Sequence, residues 1–316
     1  MRTLLLRRLL EMIPTLVGVS LLAFFIMKMT PGDPVRMMLG PEASPESIQM
    51  LREQLGLNRP WYSQYYMYTV EMATGELKSI TLPSQSARER ILARLPATIE
   101  LAVAAMFFAL LTSILVGVIS ASRRNSIFDN VSRVGVFIFL AMPSFWLGLE
   151  LIILFARKLH WFPPAGRGTG SLDSHISHLI LPAITLGVGT GASLSRILRS
   201  SMLEVLNADY IRTARAKGLR ETRVVLKHAL KSALIPFTTV AGISAGALLS
   251  GSVIVETVFN WPGVGSLLVA TIKERDFPVT MGCILLLATV FVVVNSAVDM
   301  LYILFDPRIR VEGEKA

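Results

Sequence analysis

The sequence contains little charge and a single cysteine. Of its 316 residues, 17% are charged and 53% are apolar types, whereas about a quarter of the residues in soluble domains are charged. This balance excludes a soluble globule, whose surface needs charge, and a disordered chain, which needs low hydrophobicity. Cys283 is the one cysteine of the sequence, which excludes a disulfide within the chain and a multi-cysteine zinc or iron–sulfur site. The class that remains is a polytopic membrane protein.

Motifs of nucleotide binding and covalent catalysis are also missing. The sequence has no GxxxxGK[ST] phosphate loop and no GxSxG elbow, and its histidines lack HExxH spacing. The glycine-rich residues 166–170 are not followed by Lys-Ser/Thr, so they do not make a phosphate loop. We therefore predict no catalytic residue, no metal site and no cofactor. A transporter built from this chain would take its energy from another subunit or from an ion gradient.

Long stretches between charges predict six membrane-spanning helices, because a helix needs about 20 apolar residues to cross a bilayer. These stretches hold at most one acidic residue each and are 9–27, 95–122, 134–156, 179–195, 232–255 and 277–305. The first follows a basic N-terminus like that of a signal peptide, but it ends without a clear cleavage site. We expect a retained anchor, with a cleaved signal as the alternative.

The distribution of basic residues predicts the orientation of the chain in the membrane. In a soluble protein a net charge of +9 would suggest a nucleic-acid partner. Here the basic residues of the short loops concentrate in the N-terminus, residues 121–133, residues 196–231 and the C-terminal tail. The positive-inside rule therefore places both termini and the 196–231 loop in the cytoplasm. Residues 29–94 are expected to form a solvated external loop, and no nucleic-acid partner is predicted.

The external loop contains a predicted helix and an aromatic cluster. Ser44 fits an N-cap, Pro45 the first helical position and Gly56 a stop. The aromatic residues that follow are Trp61, Tyr62, Tyr65, Tyr66 and Tyr68. Such a cluster is typical of an interfacial belt in membrane proteins, and a substrate-binding patch is the alternative.

The loop of residues 196–234 is longer than a connection between two helices requires. Residues 208–219 are rich in alanine and arginine, which favour helix, and Gly218 is a natural C-terminal stop. A second helix is expected around Val224, and Pro236 is expected to start the fifth span. One interpretation is a topological anchor on anionic lipid. Because helix–glycine–helix is more structure than an anchor needs, we favour a docking surface for a cytoplasmic partner.

Short segments along the chain occur in a characteristic order. They are Arg7-Arg8, 30–34 (TPGDP), 55–60 (LGLNRP), 94–100 (RLPATIE), 142–146 (MPSFW), 209–218 (DYIRTARAKG), 256–265 (ETVFNWPGVG) and 306–310 (DPRIR). In order and spacing they resemble the inner-membrane permease subunit of binding-protein-dependent ABC importers, in the dipeptide, oligopeptide and nickel branch. The resemblance extends over nearly the whole chain.

The resemblance implies an all-α membrane protein with six transmembrane helices and the type I ABC importer permease fold. The implied partners are a second, homologous permease, two ATP-binding subunits and an external solute-binding protein, besides membrane lipid. ATP hydrolysis is expected in the ATP-binding subunits, so this chain is not expected to be an enzyme.

The resemblance also implies that a coupling helix transmits the motion of the ATPases. The implied ATPase-coupling residues are Ala214, Arg215, Ala216, Lys217, Gly218 and Leu219. We expect the small residues among them to allow close approach, and Arg215 and Lys217 to pair with acids.

Residues 256–265 are polar and turn-rich, and we interpret them as a short external helix and turn near the translocation gate. The gate candidates are Glu256, Trp261, Pro262, Gly263 and Gly265.

Three acids lie inside or at the edges of spans, namely Glu100, Glu150 and Asp299. Acids in a membrane are functional candidates by default, as a polar cavity wall or a proton relay. Because these three form no obvious chain, we favour structural roles for them.

Two function classes remain open at this stage. The favoured one is a permease subunit that forms half of the pathway of an ATP-driven importer in a bacterial inner (plasma) membrane, for di- or oligopeptides, with a nickel chelate or glutathione as alternative substrates. The other is a self-sufficient secondary transporter or channel, although no inverted repeat is visible. The predicted division is 1–93 for the first span and external loop, 94–305 for a five-helix core with the coupling loop, and 306–316 for a cytoplasmic tail.

Overall fold

The computed structural model describes residues 2–29, 34–40, 42–54, 56–82 and 84–305. Within them every regular element is helical, and the β-type pairing is one isolated antiparallel bridge between Lys78 and Ser86. The helices are α1 (Arg2–Met29), α2 (Pro34–Leu39), α3 (Pro45–Gln54), α4 (Trp61–Thr74), α5 (Ala87–Ser122), α6 (Ile127–Ala141), α7 (Ser144–Leu151), α8 (Leu172–Leu206), α9 (Asp209–Ala216), α10 (Glu221–Arg223), α11 (Leu230–Val258), α12 (Val264–Glu274) and α13 (Phe277–Phe305). Two π-helical stretches extend this set: Ile152–Lys158 continues α7, and Val224–Ala229 joins α10 to α11. The predicted all-α class is confirmed.

Most of the predicted spans coincide with long apolar helices. Among the described residues, five helices are long and apolar enough to cross a membrane, and the count is up to six if one bent pair forms a span. The candidates made of one unbroken stretch are Met12–Met29, Ala87–Ser122, Leu172–Leu206, Glu221–Val258 and Phe277–Val298. The bent pair, Ile127–Ala141 with Ser144–Lys158, occupies the place of the predicted third span.

The stretch predicted as the third span is not a single helix. Its two helices meet at an angle of 108°, and the break falls on Met142 and Pro143, which both have extended backbone. Proline has no N–H for the helix ladder and keeps the residue before it out of the α conformation. A single apolar stretch of sequence therefore becomes two helices of different direction.

The boundary expected at Pro236 is wrong. The helix runs through this proline without a break, from Glu221 to Val258. Proline inside a membrane-spanning helix is tolerated when neighbouring groups satisfy the backbone carbonyl that it leaves unpaired. The second helix of the 196–234 loop and the fifth span are thus one continuous element.

The described residues form two compact units. The first comprises those of Met1–Thr98 and Pro262–Val292, and the second those of Ile99–Trp261 and Val293–Ala316. The core of the first unit joins the 77–95 region to α12 and the start of α13. Its buried members are Leu77, Ala87, Ile91, Val264, Leu267, Val279 and Cys283.

A larger core in the second unit joins the end of α5 to α8, α9 and the start of α11. Its buried members are Val118, Ala121, Leu194, Leu198, Met202, Ile211, Ala214, Val224, Val225, Ala229, Ala233, Phe237 and Ala241. Residues from the membrane-spanning helices and from the short helix α9 therefore pack in one apolar cluster.

The helix predicted after Ser44 is confirmed. α3 begins at Pro45, the Ser44 hydroxyl accepts the Ser47 N–H at 3.2 Å, and Gly56 has a left-handed φ of +65°. The aromatic cluster that follows lies in α4 and packs against α1, with Trp61 on Phe25 at 5.3 Å between ring centroids. These contacts to the end of an apolar helix are those expected of an interfacial belt.

Candidate functional site

Helix α9 lies where the coupling helix was predicted, after a turn at Asn207 and Ala208 that ends α8. One face of α9 is apolar, and Ile211 and Ala214 are buried in the same core as Leu198 and Met202 of α8. The opposite face is exposed and carries Arg212, Thr213, Arg215 and Ala216. The helix is therefore fixed to the end of α8 and presents a basic surface.

Gly218 ends this element as the sequence predicted. Its N–H donates to the Arg215 carbonyl at 2.9 Å, and its φ of +75° lies in the left-handed region that favours glycine. No atom lies within 4 Å of a Cβ built at this position. The backbone turn thus favours glycine here, and the space beside it is open.

The predicted coupling residues divide between the surface and the core. Arg215, Ala216, Lys217 and Gly218 are exposed, whereas Ala214 is buried and Leu219 packs against the core. Ala216 and Gly218 are therefore the small residues exposed on this surface, while Ala214 faces the interior of its own chain.

The charges of this surface are partly paired within the chain. Arg215 binds Glu221 through two hydrogen bonds of 2.7 and 3.1 Å, and this carboxylate raises the pKa of the Arg215 guanidinium. Arg212 reaches Asp209 at 3.5 Å, with both side chains largely exposed. Arg215 therefore already has an acidic partner within the chain, and Lys217 adds an exposed positive charge beside it.

Two of the gate candidates, Glu256 and Trp261, lie in the second unit and are fully buried. The backbone N–H of Trp261 donates to the backbone carbonyl of Glu256 at 2.8 Å and so closes the turn after α11. The Trp261 ring packs against His175 at 6.1 Å between centroids, and the Arg167 guanidinium lies 6.0 Å from its centroid. This distance is within reach of a cation–π contact.

Glu100 connects the residues around Trp261. Arg167 donates to one carboxylate oxygen of Glu100 at 2.7 and 3.2 Å, and His175 contacts the other oxygen through Nε2. The ion pair is only partly buried, with side-chain exposures of 37% for Arg167 and 25% for Glu100. This pairing supports the structural role that the sequence favoured for Glu100.

The loop that carries Arg167 depends on glycine. Gly166, Gly168 and Gly170 all have φ between +75° and +90°. The Gly166 N–H donates to the Phe259 carbonyl at 2.8 Å, and a Cβ on Gly168 would lie 2.7 Å from the Ser174 carbonyl oxygen. Sequence analysis missed Arg167 and His175; the available signal was the alternation of glycine around Arg167.

The other gate candidates, Pro262, Gly263 and Gly265, lie in the first unit. Gly263 precedes α12, the Val264 N–H donates to the Thr98 hydroxyl at 2.8 Å, and Gly265 is buried. The short separate helix expected within residues 256–265 is absent: these residues form the end of α11, a turn and the start of α12.

Glu150 is not part of this arrangement. Glu150 is exposed on α7, and the side chain of Asp299 lies outside the described residues.

Comparison with known families gives two matches that together cover most of the chain. Residues 113–311 match the family described as the inner membrane component of binding-protein-dependent transport systems, and residues 1–102 match the N-terminal region of such membrane components.

Similar curated proteins align over nearly their full length. The chain is 43% identical to the dipeptide transport system permease protein of Alkalihalophilus pseudofirmus, with 96% of this chain and 98% of that protein covered. It is 43% identical to the oligopeptide transport system permease protein of Bacillus subtilis, again with 96% and 98% covered. It is 41% identical to the glutathione transport system permease protein of Escherichia coli K12, with 96% and 97% covered.

Solved structures with a similar fold are more distant in sequence. An inward-facing methionine ABC transporter matches with a TM-score of 0.55 at 20% identity, over 67% of this chain and 94% of that chain. An amino acid ABC transporter matches with a TM-score of 0.50 at 14% identity, over 70% and 94%.

Proposed function

The chain belongs to the family of inner-membrane components of binding-protein-dependent transport systems, and from this membership we propose that it forms half of the translocation pathway of an ATP-driven importer of di- or oligopeptides. Its fold is that of ABC importer permeases, consistent with type I. Peptide as the substrate is supported by the similar proteins, which are permeases for dipeptides, oligopeptides and glutathione, itself a small peptide.

The partners in this proposal are a second, homologous permease, two ATP-binding subunits that hydrolyse ATP, and an external solute-binding protein. Family membership carries the importer proposal, and the placement of α9, which is fixed to the core by Ile211 and Ala214 and exposes a basic surface, supports its contact with the ATP-binding subunits. We assign ATPase contact to Arg215, Ala216, Lys217 and Gly218. Ala214 and Leu219 support that contact from the core side.

The proposed orientation follows the positive-inside rule. Both termini, the tail 306–316 and the α9 surface face the cytoplasm, and the 29–94 loop faces outward. The turn after α11 then lies at the external side, where we assign the gate to Glu256, Trp261, Pro262, Gly263 and Gly265.

Two substitutions test ATPase coupling at the α9 surface. Gly218→Val forces a β-branched residue into a left-handed conformation, which costs on the order of 1 kcal/mol or more, and it adds bulk where the chain itself leaves open space. Ala216→Glu adds bulk and a negative charge to the same surface. Each should leave membrane insertion intact and reduce both ATPase co-purification and solute uptake at matched membrane abundance.

Gly40→Val is the matched control, because Gly40 also has a left-handed φ, +82°, and open space around its added Cβ. It introduces the same backbone strain away from α9 and should leave ATPase co-purification unchanged. If both α9 variants retain the ATPase subunits and transport normally, the loop is only a topological anchor and coupling through α9 is wrong. Uptake by the wild-type chain without ATP or ATPase subunits would favour a self-sufficient transporter instead.

A further inference from the structure

A fully buried carboxylate, Asp129, joins three helices of the second unit. It lies in the first turn of α6 and accepts two hydrogen bonds from Arg199 of α8, at 2.7 Å on Oδ1 and 2.8 Å on Oδ2. The Ser120 hydroxyl at the end of α5 also donates to Oδ1, and the Asn125 N–H donates to Oδ2 at 2.9 Å. Arg133 of α6 stands further off, at 4.0 Å and half-exposed.

Helix capping accounts for only one contact of this carboxylate, the hydrogen bond from the Asn125 N–H. The N-cap of α6 is Ser126, whose hydroxyl accepts the Asp129 N–H at 3.2 Å. Stability alone does not account for it either, because apolar residues of similar volume often replace a buried ion pair without loss of stability. What the bidentate pair specifies is the register and direction in which α6 meets α8.

Arg199 of this pair is connected to α9 through the apolar core of the second unit. Arg199 lies about 10 Å along the helix axis from the end of α8 at Leu206. Its neighbours Leu198 and Met202 are buried in the same core as Ile211 and Ala214 of α9. A displacement of α9 that preserves this core therefore displaces Arg199 as well.

On the other side, Asp129 is connected to the turn after α11. Helix α6 continues through the bend at Pro143 into α7. A Cβ built on Gly148 of α7 would lie 3.1 Å from the Phe259 ring and 3.3 Å from the Val258 side chain, so α7 packs closely on the last residues before Trp261. Packed helices joined by such contacts are the means by which motion passes between distant sites.

We propose that the Asp129–Arg199 pair is a positioning contact that transmits displacement of α9 to α6 and α7. The proposal rests on the coupling role of α9 stated above, and it identifies the residues through which that motion leaves α8. Asp129 and Arg199 act through the helices that they join and contact neither ATP nor solute.

The test uses the complete importer, reconstituted in proteoliposomes with its partner permease, ATP-binding subunits and solute-binding protein. The variants are Asp129→Asn, Arg199→Gln and the exchange Asp129→Arg with Arg199→Asp. Arg196→Gln is the control, because Arg196 is an exposed arginine one turn away on α8. The readouts are the ATPase subunits recovered with the permease, ATP hydrolysed, and solute taken up per ATP.

Each single variant should assemble with the ATPase subunits and lose uptake per ATP by roughly 5- to 150-fold, the range typical of an energetic coupling between two sites. The exchange variant should recover part of this loss, and Arg196→Gln should match wild type. A pair with only a structural role would reduce the amount of assembled importer but leave uptake per ATP unchanged. Unchanged uptake per ATP in the assembled single variants would therefore overturn the proposal.

Where Asp129→Asn does not accumulate, Arg199→Lys replaces it, because lysine keeps the charge and loses the bidentate geometry. A loss of uptake per ATP in Arg199→Lys would support the proposal, and unchanged uptake per ATP would overturn it. Failure of the wild-type complex to couple ATP hydrolysis to uptake would instead contradict the proposed function, so the two failures are distinguishable.

Discussion

Asp276 fixes the loop between α4 and α5 within the first unit. Its carboxylate is fully buried, pairs with Arg90 at 3.0 Å, and accepts the hydroxyls of Ser79 and Thr81 together with the Ile80 N–H at 3.2 Å. An ionised carboxylate tolerates complete burial only with such a set of donors. Ser79 and Thr81 therefore anchor this loop, although in sequence they are only small polar residues between two helices.

Tyr68, in the same unit, has a raised pKa. Desolvation by burial, and then the charges of Glu71 and Asp276, raise the pKa of Tyr68 to about 12. Because this pKa lies above the value of about 10 in an unfolded chain, the folded state holds the proton more tightly. The resulting stabilisation is present below pH 10 and is lost as the pH rises through 12.

We predict that Glu71→Gln lowers the pKa of Tyr68 and leaves it above 10, because burial is the larger cause. Tyrosinate absorbance would be recorded as a function of pH for each protein and for its Tyr68→Phe counterpart, so that the difference isolates Tyr68. Glu89→Gln, an exposed acid of α5, is the control and should not move the midpoint. An unchanged midpoint in Glu71→Gln would contradict the assigned electrostatic cause.

At the scale of elements, the approach of α5 to α8 depends on glycine. A Cβ on Gly187 would lie 2.4 Å from the Ala105 carbonyl oxygen, and a Cβ on Gly191 would lie 2.7 Å from the Thr112 hydroxyl oxygen. The two glycines are four residues apart and share one face of α8. Small residues at this spacing let membrane helices pack backbone to backbone.

Gly187→Ala should therefore destabilise the protein by about 1–3 kcal/mol, the usual cost of adding volume to a packed core. Gly189→Ala is the matched control, since nothing lies within 4 Å of its added Cβ, and alanine favours helix over glycine. The thermal unfolding midpoint of purified protein in detergent, together with its yield, provides the comparison. Equal midpoints for the two variants would show that the close approach of α5 and α8 is absent in the protein.

At the scale of the whole molecule, charge asymmetry predicts how the chain sits in the membrane. Most basic residues of the short loops fall in the N-terminus, residues 121–133, residues 196–231 and the tail. Because basic loops are retained on the cytoplasmic side, this pattern predicts the orientation independently of the fold. The exposed basic face of α9 is consistent with a position in water beside the membrane.

We predict that a reporter fused after Lys217 is cytoplasmic and that one fused after Tyr68 is external. Two reporters that are active on opposite sides of the membrane should give reciprocal signals at each fusion site. An external signal at Lys217, or a cytoplasmic signal at Tyr68, would contradict the six-span topology and, with it, the assignment of α9 to ATPase contact.

The sequence by itself determined the class of the protein, the places of most of its spans and the short helix that ends before Gly218. These features follow from local causes: long apolar stretches, a surplus of basic residues in certain loops, and a glycine at position 218 that suits a left-handed turn. The order of the sequence motifs was also sufficient to identify the family, because these motifs extend over nearly the whole chain.

Only the tertiary structure decided which distant residues meet. The sequence contained no sign that Asp129 would pair with Arg199, that Glu100 would bind Arg167 and His175, or that Asp276 would hold the loop near Ser79. It also missed the sharp bend at Pro143 and the continuity of helix through Pro236. Such contacts depend on how helices far apart in the chain pack against one another, and the free energy of burying and pairing their polar groups is defined only once that packing exists.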